Sequence, residues 1–354
     1  MRLLYVSRSA GVHDTRFVDA WRGCGLEVEA LTSPVDDEGE RTRFLDAVQR
    51  IRPDVVQVGP VTSPGPMVTA LWDGPVIATS WAFDLLLEAR ESDKIHDEAA
   101  AVLRRADLIF VDSRAVHDEA LSMGADASAI VTFPWGIAPE WLEGMPRPRE
   151  ASSAFVFLST RRHESLYRVE DAVLAFLTVA AEHAHVQLWI AGSGSLTPHL
   201  RDVASRSPYG DRVHFLGERS GSALRELYET ADVYLSSSIV DGTSISLLEA
   251  MASGALPVVS DIPGNREWIS DDVGFSFAVG DLDQLASTMQ AAVGLSIDVR
   301  AAMARAAFER VRRFADWERA SAALAGHAEL AISRHAAAVS GTGLATASGG
   351  GKDV

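Results

Sequence analysis

Residues 232–265 read DVYLSSSIVDGTSISLLEAMASGALPVVSDIPGN, and the fold is decided in this stretch. Asp232–Ser236 is short, apolar and β-rich, as a buried strand is. Gly242 allows a tight turn after it, and the hydroxyls of Thr243 and Ser244 suit the first amides of a helix. Ile245, Leu248, Met251 and Ala252 recur at helical spacing, and Gly254 stands where helices commonly end in a left-handed residue. Pro257, Val258 and Val259 open the next strand. Strand, polar loop, helix and strand make one turn of a parallel α/β sheet.

Two acids in this unit ask for an explanation. Asp241 lies on the loop at the mouth of the sheet, and Glu249 lies inside an otherwise apolar helix. Carboxylates are rare in such surroundings unless paired or used. An acceptor-only group near a helix N-terminus suits the vicinal hydroxyls of a ribose or sugar, and the free N–H groups there suit a diphosphate. Taken singly, Asp241 also reads as a turn former and Glu249 as a half-exposed helix residue.

Outward from this unit, the same alternation runs along the chain. Leu3–Val6, Gly25–Leu31, Pro53–Val58, Pro75–Thr79, Asp107–Val111 and Ile130–Phe133 read as strands separated by helical stretches. A second series covers Ala154–Ser159, Val186–Ala191, Val213–Leu216, Val233–Ser236 and Pro257–Val259. Such series predict doubly wound parallel sheets, whose ligands bind beyond the carboxyl ends of the strands. The 354 residues suffice for two domains with separate cores. A hydrophobic content of 47 % and a charged content of 23 % are those of a globular protein.

The formal charge of −17 argues against nucleic acid as a bulk partner and against broad attraction to anionic lipid, while leaving room for a local basic patch at a membrane. The one cysteine, Cys24, cannot form an internal disulfide. Arg2–Val6 reads directly as a strand, and no apolar run is long enough to span a bilayer. A cytoplasmic protein is expected.

Asp241-Gly-Thr-Ser-Ile-Ser-Leu-Leu-Glu249 resembles the Glu-x7-Glu signature of glycosyltransferase family 4, with Asp in the first place. The resemblance implies the GT-B fold: two Rossmann-like doubly wound parallel-sheet domains facing a cleft, with a C-terminal helix crossing back to the first. The implied organisation is an acceptor-side domain over 1–145, a linker over 146–153, and a nucleotide-sugar domain over 154–314. A returning helix over 315–338 and a disordered, Gly/Ser/Thr-rich tail over 339–354 complete it. The implied activity is retaining, metal-independent transfer of a hexose from a nucleoside diphosphate sugar, UDP- or GDP-linked, to a hydroxyl acceptor. That acceptor is a glycan, a lipid-linked sugar or a small molecule.

The same resemblance implies site residues. After the first strand of the second domain, Arg162 matches the family's diphosphate-gripping Arg. Tyr167 falls where a Lys is usual, so a second cation comes from Arg161 or Arg168, if any. Gly217, in Phe215-Leu-Gly-Glu218, lies in the segment whose backbone reads the nucleotide base. Gly242, Thr243 and Ser244 belong to the donor loop, Asp241 bonds the transferred sugar, and Glu249 holds the ribose. In the first domain Gly11 lets the backbone approach the donor, and His13 is a candidate on the acceptor side. Asp84 follows Trp81, which stands where many family members carry a His. Helix capping is the alternative reading of both His13-Asp14 and Asp84.

Other chemistries lack their motifs. There is no Gly-x4-Gly-Lys-Ser/Thr phosphate loop, no Gly-x-Ser-x-Gly elbow and no zinc spacing. Leu188–Gly194 (LWIAGSG) lacks the third glycine of a dinucleotide fingerprint. Asp281-Leu-Asp283 matches a metal-binding tripeptide of another glycosyltransferase fold, but it precedes the helical stretch Gln284–Val293, where capping explains it. Two rivals stay open: a sugar-nucleotide epimerase on the same fold, and a degenerate nucleotide-sugar-binding subunit.

Overall fold

The computed structural model describes residues 1–33, 39–146 and 154–347, so the expected linker over 146–153 lies almost wholly outside the described residues. Two compact units are present: Met1–Phe133 together with the chain from Glu318 onward, and Pro134–Trp317.

The first unit holds β1 (Arg2–Ser7), β2 (Glu27–Thr32), β3 (Val55–Gly59), β4 (Val76–Thr79), β5 (Leu108–Val111) and β6 (Ile130–Thr132). They form one parallel sheet in the order β2-β1-β3-β4-β5-β6. β3, β4 and β5 are buried at every residue, which is why they read as unbroken apolar runs rather than alternating ones. The edge strand β2 has exposed Glu27, Ala30 and Thr32.

The second unit holds β7 (Phe155–Ser159), β8 (Val186–Ala191), β9 (Val213–Gly217), β10 (Val233–Ser236), β11 (Leu256–Ser260) and β12 (Phe275–Phe277). Its parallel sheet runs β12-β11-β10-β7-β8-β9. β12 was not expected: three residues, Phe-Ser-Phe, are too few to show a period. The chain enters and leaves this unit through a parallel bridge between Ile137 and Asp316. Ile137 donates its N–H to the Ala315 carbonyl at 2.8 Å, and Trp317 donates to the Ile137 carbonyl at 3.1 Å. Only glycine fits at 136, since a Cβ there would lie 2.1 Å from the Ala315 carbonyl oxygen.

The last helix, Leu324–Ala347, belongs to the first unit. Leu324, Ala328 and Ala331 are fully buried, at i, i+4 and i+7 on one face. His327 on that face rests edge-on against Phe110 at 5.5 Å and stacks at 6.5 Å on Phe133. Arg334 binds the Asp126 carboxylate at 2.8 Å. The helix continues through 339–347, where composition alone reads as a disordered tail. Extending a helix already nucleated by packing costs far less than starting one, so weak formers are carried along.

Candidate functional site

In the second sheet, β8 and β9 lie to one side of β7 while β10, β11 and β12 lie to the other, so the order reverses between β7 and β10. Open α/β sheets bind ligands in the crevice outside that reversal. Two loops meet there. Ile239 N–H donates to the Leu166 carbonyl at 3.0 Å, and Ser237 Oγ donates to the carbonyls of Tyr167 and Arg168 at 3.1 and 2.7 Å.

Arg161, just beyond β7, reaches across this junction. Its Nη2 donates to both oxygens of Asp241 at 3.0 and 2.7 Å. Its Nη1 donates to Ser244 Oγ at 2.8 Å and Ser246 Oγ at 2.7 Å. The guanidinium lies 4.3 Å from the centre of the Tyr167 ring, and the side chain of Arg161 is only 9 % exposed. Burial opposes its charge, but Asp241 and the nearby tyrosines outweigh burial, so the pKa rises and the cation is fixed. Arg161 Nε is buried with no hydrogen-bond partner among the described residues.

The helix Ile245–Ser253 begins at this pair, with Ser244 as its extended N-cap and Gly254 ending it at φ 85°. The Ser244 hydroxyl makes no capping bond; it receives Arg161 instead. First-turn amides of a helix have no partner within it, and here the side-chain cap that usually takes one is diverted. Thr243 and Gly242 are buried. A Cβ at Gly264 would lie 2.3 Å from the Gly242 carbonyl oxygen and 2.4 Å from that of Asp241, so the loop after β11 presses directly on this turn.

Glu249 is half-buried and accepts a hydrogen bond from the hydroxyl of Tyr228, which is itself 2.7 Å from Thr160 Oγ1. Burial and the Glu249 charge push the Tyr228 phenol up, keeping it a donor. Tyr234 OH lies 2.8 Å from Ser246 Oγ. Thr160, Tyr228, Tyr234, Ser246 and Gly264 were not among the expected residues. Ser246, two places after Ser244, carries a faint sequence signal; the tyrosines carry none.

The remaining donor-side candidates divide. Arg162 is exposed, and it is Arg161 that meets Asp241. Counting back from the helix cannot tell which of two adjacent loop arginines points inward. Arg168, left-handed at φ 45°, starts the helix Val169–Glu182 and commits its charge to Asp171 at 2.6 and 3.0 Å. Gly217 ends β9 at φ 70°, and its carbonyl accepts the Gly192 N–H at 2.9 Å. The Gly192-x-Gly194 turn serves packing: Cβ atoms there would lie 2.7 Å from the Arg161 carbonyl oxygen and 2.5 Å from that of His163.

In the first sheet the reversal falls between β1 and β3. Gly11 is the N-cap of the helix Val12–Gly23, and its N–H donates to Asp14 at 2.8 Å. Asp14 also accepts from Ser7 Oγ at 2.5 Å and Tyr5 OH at 3.0 Å. Asp14 thus fills the capping role. His13 is half-buried, its ring 5.5 Å from that of Trp81.

Asp84, expected among the catalytic groups, is fully buried. It accepts from Val61 N–H at 2.7 Å, Ser80 Oγ at 2.7 Å and Trp81 N–H at 3.0 Å. Burial raises its pKa to about 6 against the pull of these bonds. Enclosed in this way it touches no acceptor; it ties the loop after β3 to the loop after β4. On the loop after β1, Arg8 is gripped by both oxygens of Glu88 at 2.7 and 2.8 Å. Neither was expected.

Asp281 caps the helix Leu282–Gly294 by accepting the Gln284 N–H at 2.8 Å, as the capping reading required. Among the described residues no cluster of His, Cys, Asp and Glu is placed to hold a metal ion, and no helix is long and apolar enough to cross a membrane.

Residues 145–310 match the family described as Glycosyl transferases group 1. The chain is 27 % identical over 299 residues to a glycogen synthase of Mycobacterium tuberculosis, covering 81 % of this chain and 71 % of that one. It is 29 % identical over 287 residues to a phosphatidyl-myo-inositol mannosyltransferase of Mycolicibacterium smegmatis, covering 76 % and 69 %. Its backbone is similar to that of HepE of Anabaena, solved in complex with UDP-glucose, with a TM-score of 0.74 at 15 % identity, covering 96 % and 100 % of the two chains. The two parallel sheets are those of the GT-B fold, and over residues 145–310 the chain is similar to the glycosyl transferases group 1 family.

Proposed function

We propose that this glycosyltransferase moves a hexose, with retention, from a UDP- or GDP-sugar to a hydroxyl acceptor. One observation carries the reading. A buried arginine pairs with Asp241 beyond β7 and β10, at the N-terminus of a helix whose side-chain cap is diverted. Guanidinium and helix amides together take negative charge developing on a departing diphosphate, where preorganised electrostatics contributes most. Arg161 leads this role, with Arg162 at the rim. Gly242, Thr243 and Ser244 shape the loop, and the backbone at Gly217 faces the base. Asp241 bonds the transferred sugar and Glu249 the ribose; Tyr167 and Arg168 bound the pocket. Gly11 and His13 serve the first unit's side. The UDP-glucose complex of HepE supports a UDP-linked donor. The resemblance to glycosyltransferase family 4 favours same-face substitution assisted by the departing phosphate.

Radiolabelled nucleotide sugars test this. Without acceptor, slow hydrolysis to free sugar is expected. An isomerised nucleotide sugar would make the protein an epimerase, and binding without turnover would make it a binding subunit.

Steady-state kinetics separates the two acids. If Glu249 holds the ribose, it contacts ground state and transition state alike. Glu249→Gln then raises the donor KM several-fold with kcat nearly unchanged. Asp241→Asn lowers kcat more than it raises KM, because contacts to the reacting sugar strengthen in the transition state. Loss of kcat in Glu249→Gln at unchanged KM would exchange the roles.

Turnover is expected to survive excess EDTA, since Asp281 spends its carboxylate on a helix cap. Activity lost in EDTA and restored by manganese would refute that.

A further inference from the structure

In the first unit, the loop leaving β4 and the helix Val12–Gly23 bring together an aromatic cluster that no donor-side role explains. Trp81, two residues beyond β4, is half-buried. Its ring meets the His13 imidazole at 5.5 Å and 31°, and the fully buried Phe17 edge-on at 5.9 Å. The indole is thus propped from within and still partly open.

The backbone carrying it is strained. Ala82 has φ 65° and ψ −55°, and the Phe83 N–H bonds the Trp81 carbonyl at 2.8 Å. This is the γ-turn of rare sign, which a residue with a Cβ adopts only when its surroundings over-determine it. The surroundings do so. Asp84 holds the Trp81 N–H and the Ser80 hydroxyl, and Ser80 Oγ in turn accepts the Ala82 N–H at 3.2 Å. Gly59, ending β3, makes room: a Cβ there would lie 2.6 Å from the Thr79 carbonyl oxygen and 3.2 Å from the indole Nε1. A strained turn, a buried acid and an obligate glycine all converge on one half-open indole, and strain of this kind gathers at binding sites.

We propose that Trp81 is the stacking face of a pyranose-binding subsite in the first unit, with the His13 imidazole at its rim bonding ring hydroxyls. The C–H face of a pyranose is apolar and flat enough to cover an indole, while its edge carries the hydroxyls an imidazole can bond. A charged acceptor group is disfavoured, because Arg8 on the neighbouring loop is already matched by Glu88. That the bound sugar is the acceptor rests on the transferase reading; that the subsite binds a pyranose does not.

Saturation-transfer difference NMR on the full chain tests this. Methyl α-D-glucopyranoside and methyl α-D-mannopyranoside are the probes, glycerol is the control, and UDP and GDP binding is followed by calorimetry. Wild type should transfer saturation to ring C–H protons of a pyranoside and not to glycerol. Trp81→Ala should lose that signal at least fivefold, and Trp81→Phe should keep about half, both with nucleotide affinity within twofold of wild type. An undiminished signal in Trp81→Ala, an equal signal from glycerol, or no pyranoside signal in wild type overturns the proposal. Should Trp81→Ala lose nucleotide binding too, Trp81→His decides. Its smaller polar ring must lower the signal at least threefold with nucleotide binding intact, or the subsite is refuted. Pyranoside binding without turnover of any nucleotide sugar would sink the transferase reading and leave the subsite standing. Turnover without pyranoside binding does the reverse.

Discussion

Arg161→Ala is expected to lower turnover at least a hundredfold and to destabilise the second unit, while Arg162→Ala leaves both near wild type. The two residues are neighbours, so the contrast isolates where each side chain goes. Arg161 gives both oxygens of Asp241 and two serine hydroxyls a donor in nearly complete burial. Removing one partner of such a pair strands the other, at a cost of about 3–5 kcal/mol when fully buried. Asp241 keeps 18 % of its side-chain surface in solvent, which holds the expected cost to about 3 kcal/mol. For a unit of this size that lowers the melting temperature by roughly 6–12 °C.

The loss of turnover has a separate origin. With Arg161 gone, Ser244 is free to swing back and cap its own helix, and the charge that the proposed function sets against a leaving diphosphate disappears. Deleting one preorganised donor at a developing charge commonly costs about 10²–10³ in kcat. Arg161→Lys keeps a charge but cannot form the two-pronged contact, so it should recover stability better than turnover. Arg162 is exposed, and surface substitutions of that kind change stability by about 0.5 kcal/mol or less. Kinetics and thermal melts on the three variants decide. If Arg162→Ala abolished nucleotide binding while Arg161→Ala preserved it, the buried pair would be a matter of folding alone.

This contrast also marks what can be read from the chain alone. The sheets are legible because central parallel strands bury both faces: Val55–Gly59 and Phe155–Ser159 are buried throughout and read as apolar runs. Asp241 and Glu249 are legible because an acid within a short apolar βαβ unit conflicts with its surroundings. Which of Arg161 and Arg162 turns inward is not legible, because an irregular loop has no period to count. Asp84 is misleading for a related reason. The loop position that would present an acid to a ligand also lets it fold back on backbone amides, and the structure takes the second course. Tyr228 and Tyr234 reach the site from other elements through a hydroxyl at the end of an otherwise ordinary core side chain, which leaves no trace in local pattern.

Gly264→Ala is expected to cut turnover about a hundredfold with only a moderate loss of stability. The added Cβ would sit 2.3 Å from the Gly242 carbonyl oxygen and 2.4 Å from that of Asp241. Both obstacles are backbone, so no side chain can rotate away, and one loop must shift. Overpacking of this order costs about 1–3 kcal/mol. The turn that moves carries Asp241, which Arg161 holds in a two-oxygen grip. A displacement near 1 Å at a reacting group costs about 10²-fold in rate even when the fold survives. Gly294→Ala is the matched control: nothing lies within 4 Å of its Cβ position, and it ends the helix Leu282–Gly294. It should leave turnover unchanged and, by helix propensity, change stability by about 1 kcal/mol or less. The two variants are compared by kcat, donor KM and melting temperature. Wild-type turnover in Gly264→Ala would show that the turn gives way without moving Asp241, and that the close approach of these loops is not what sets the geometry of the pair.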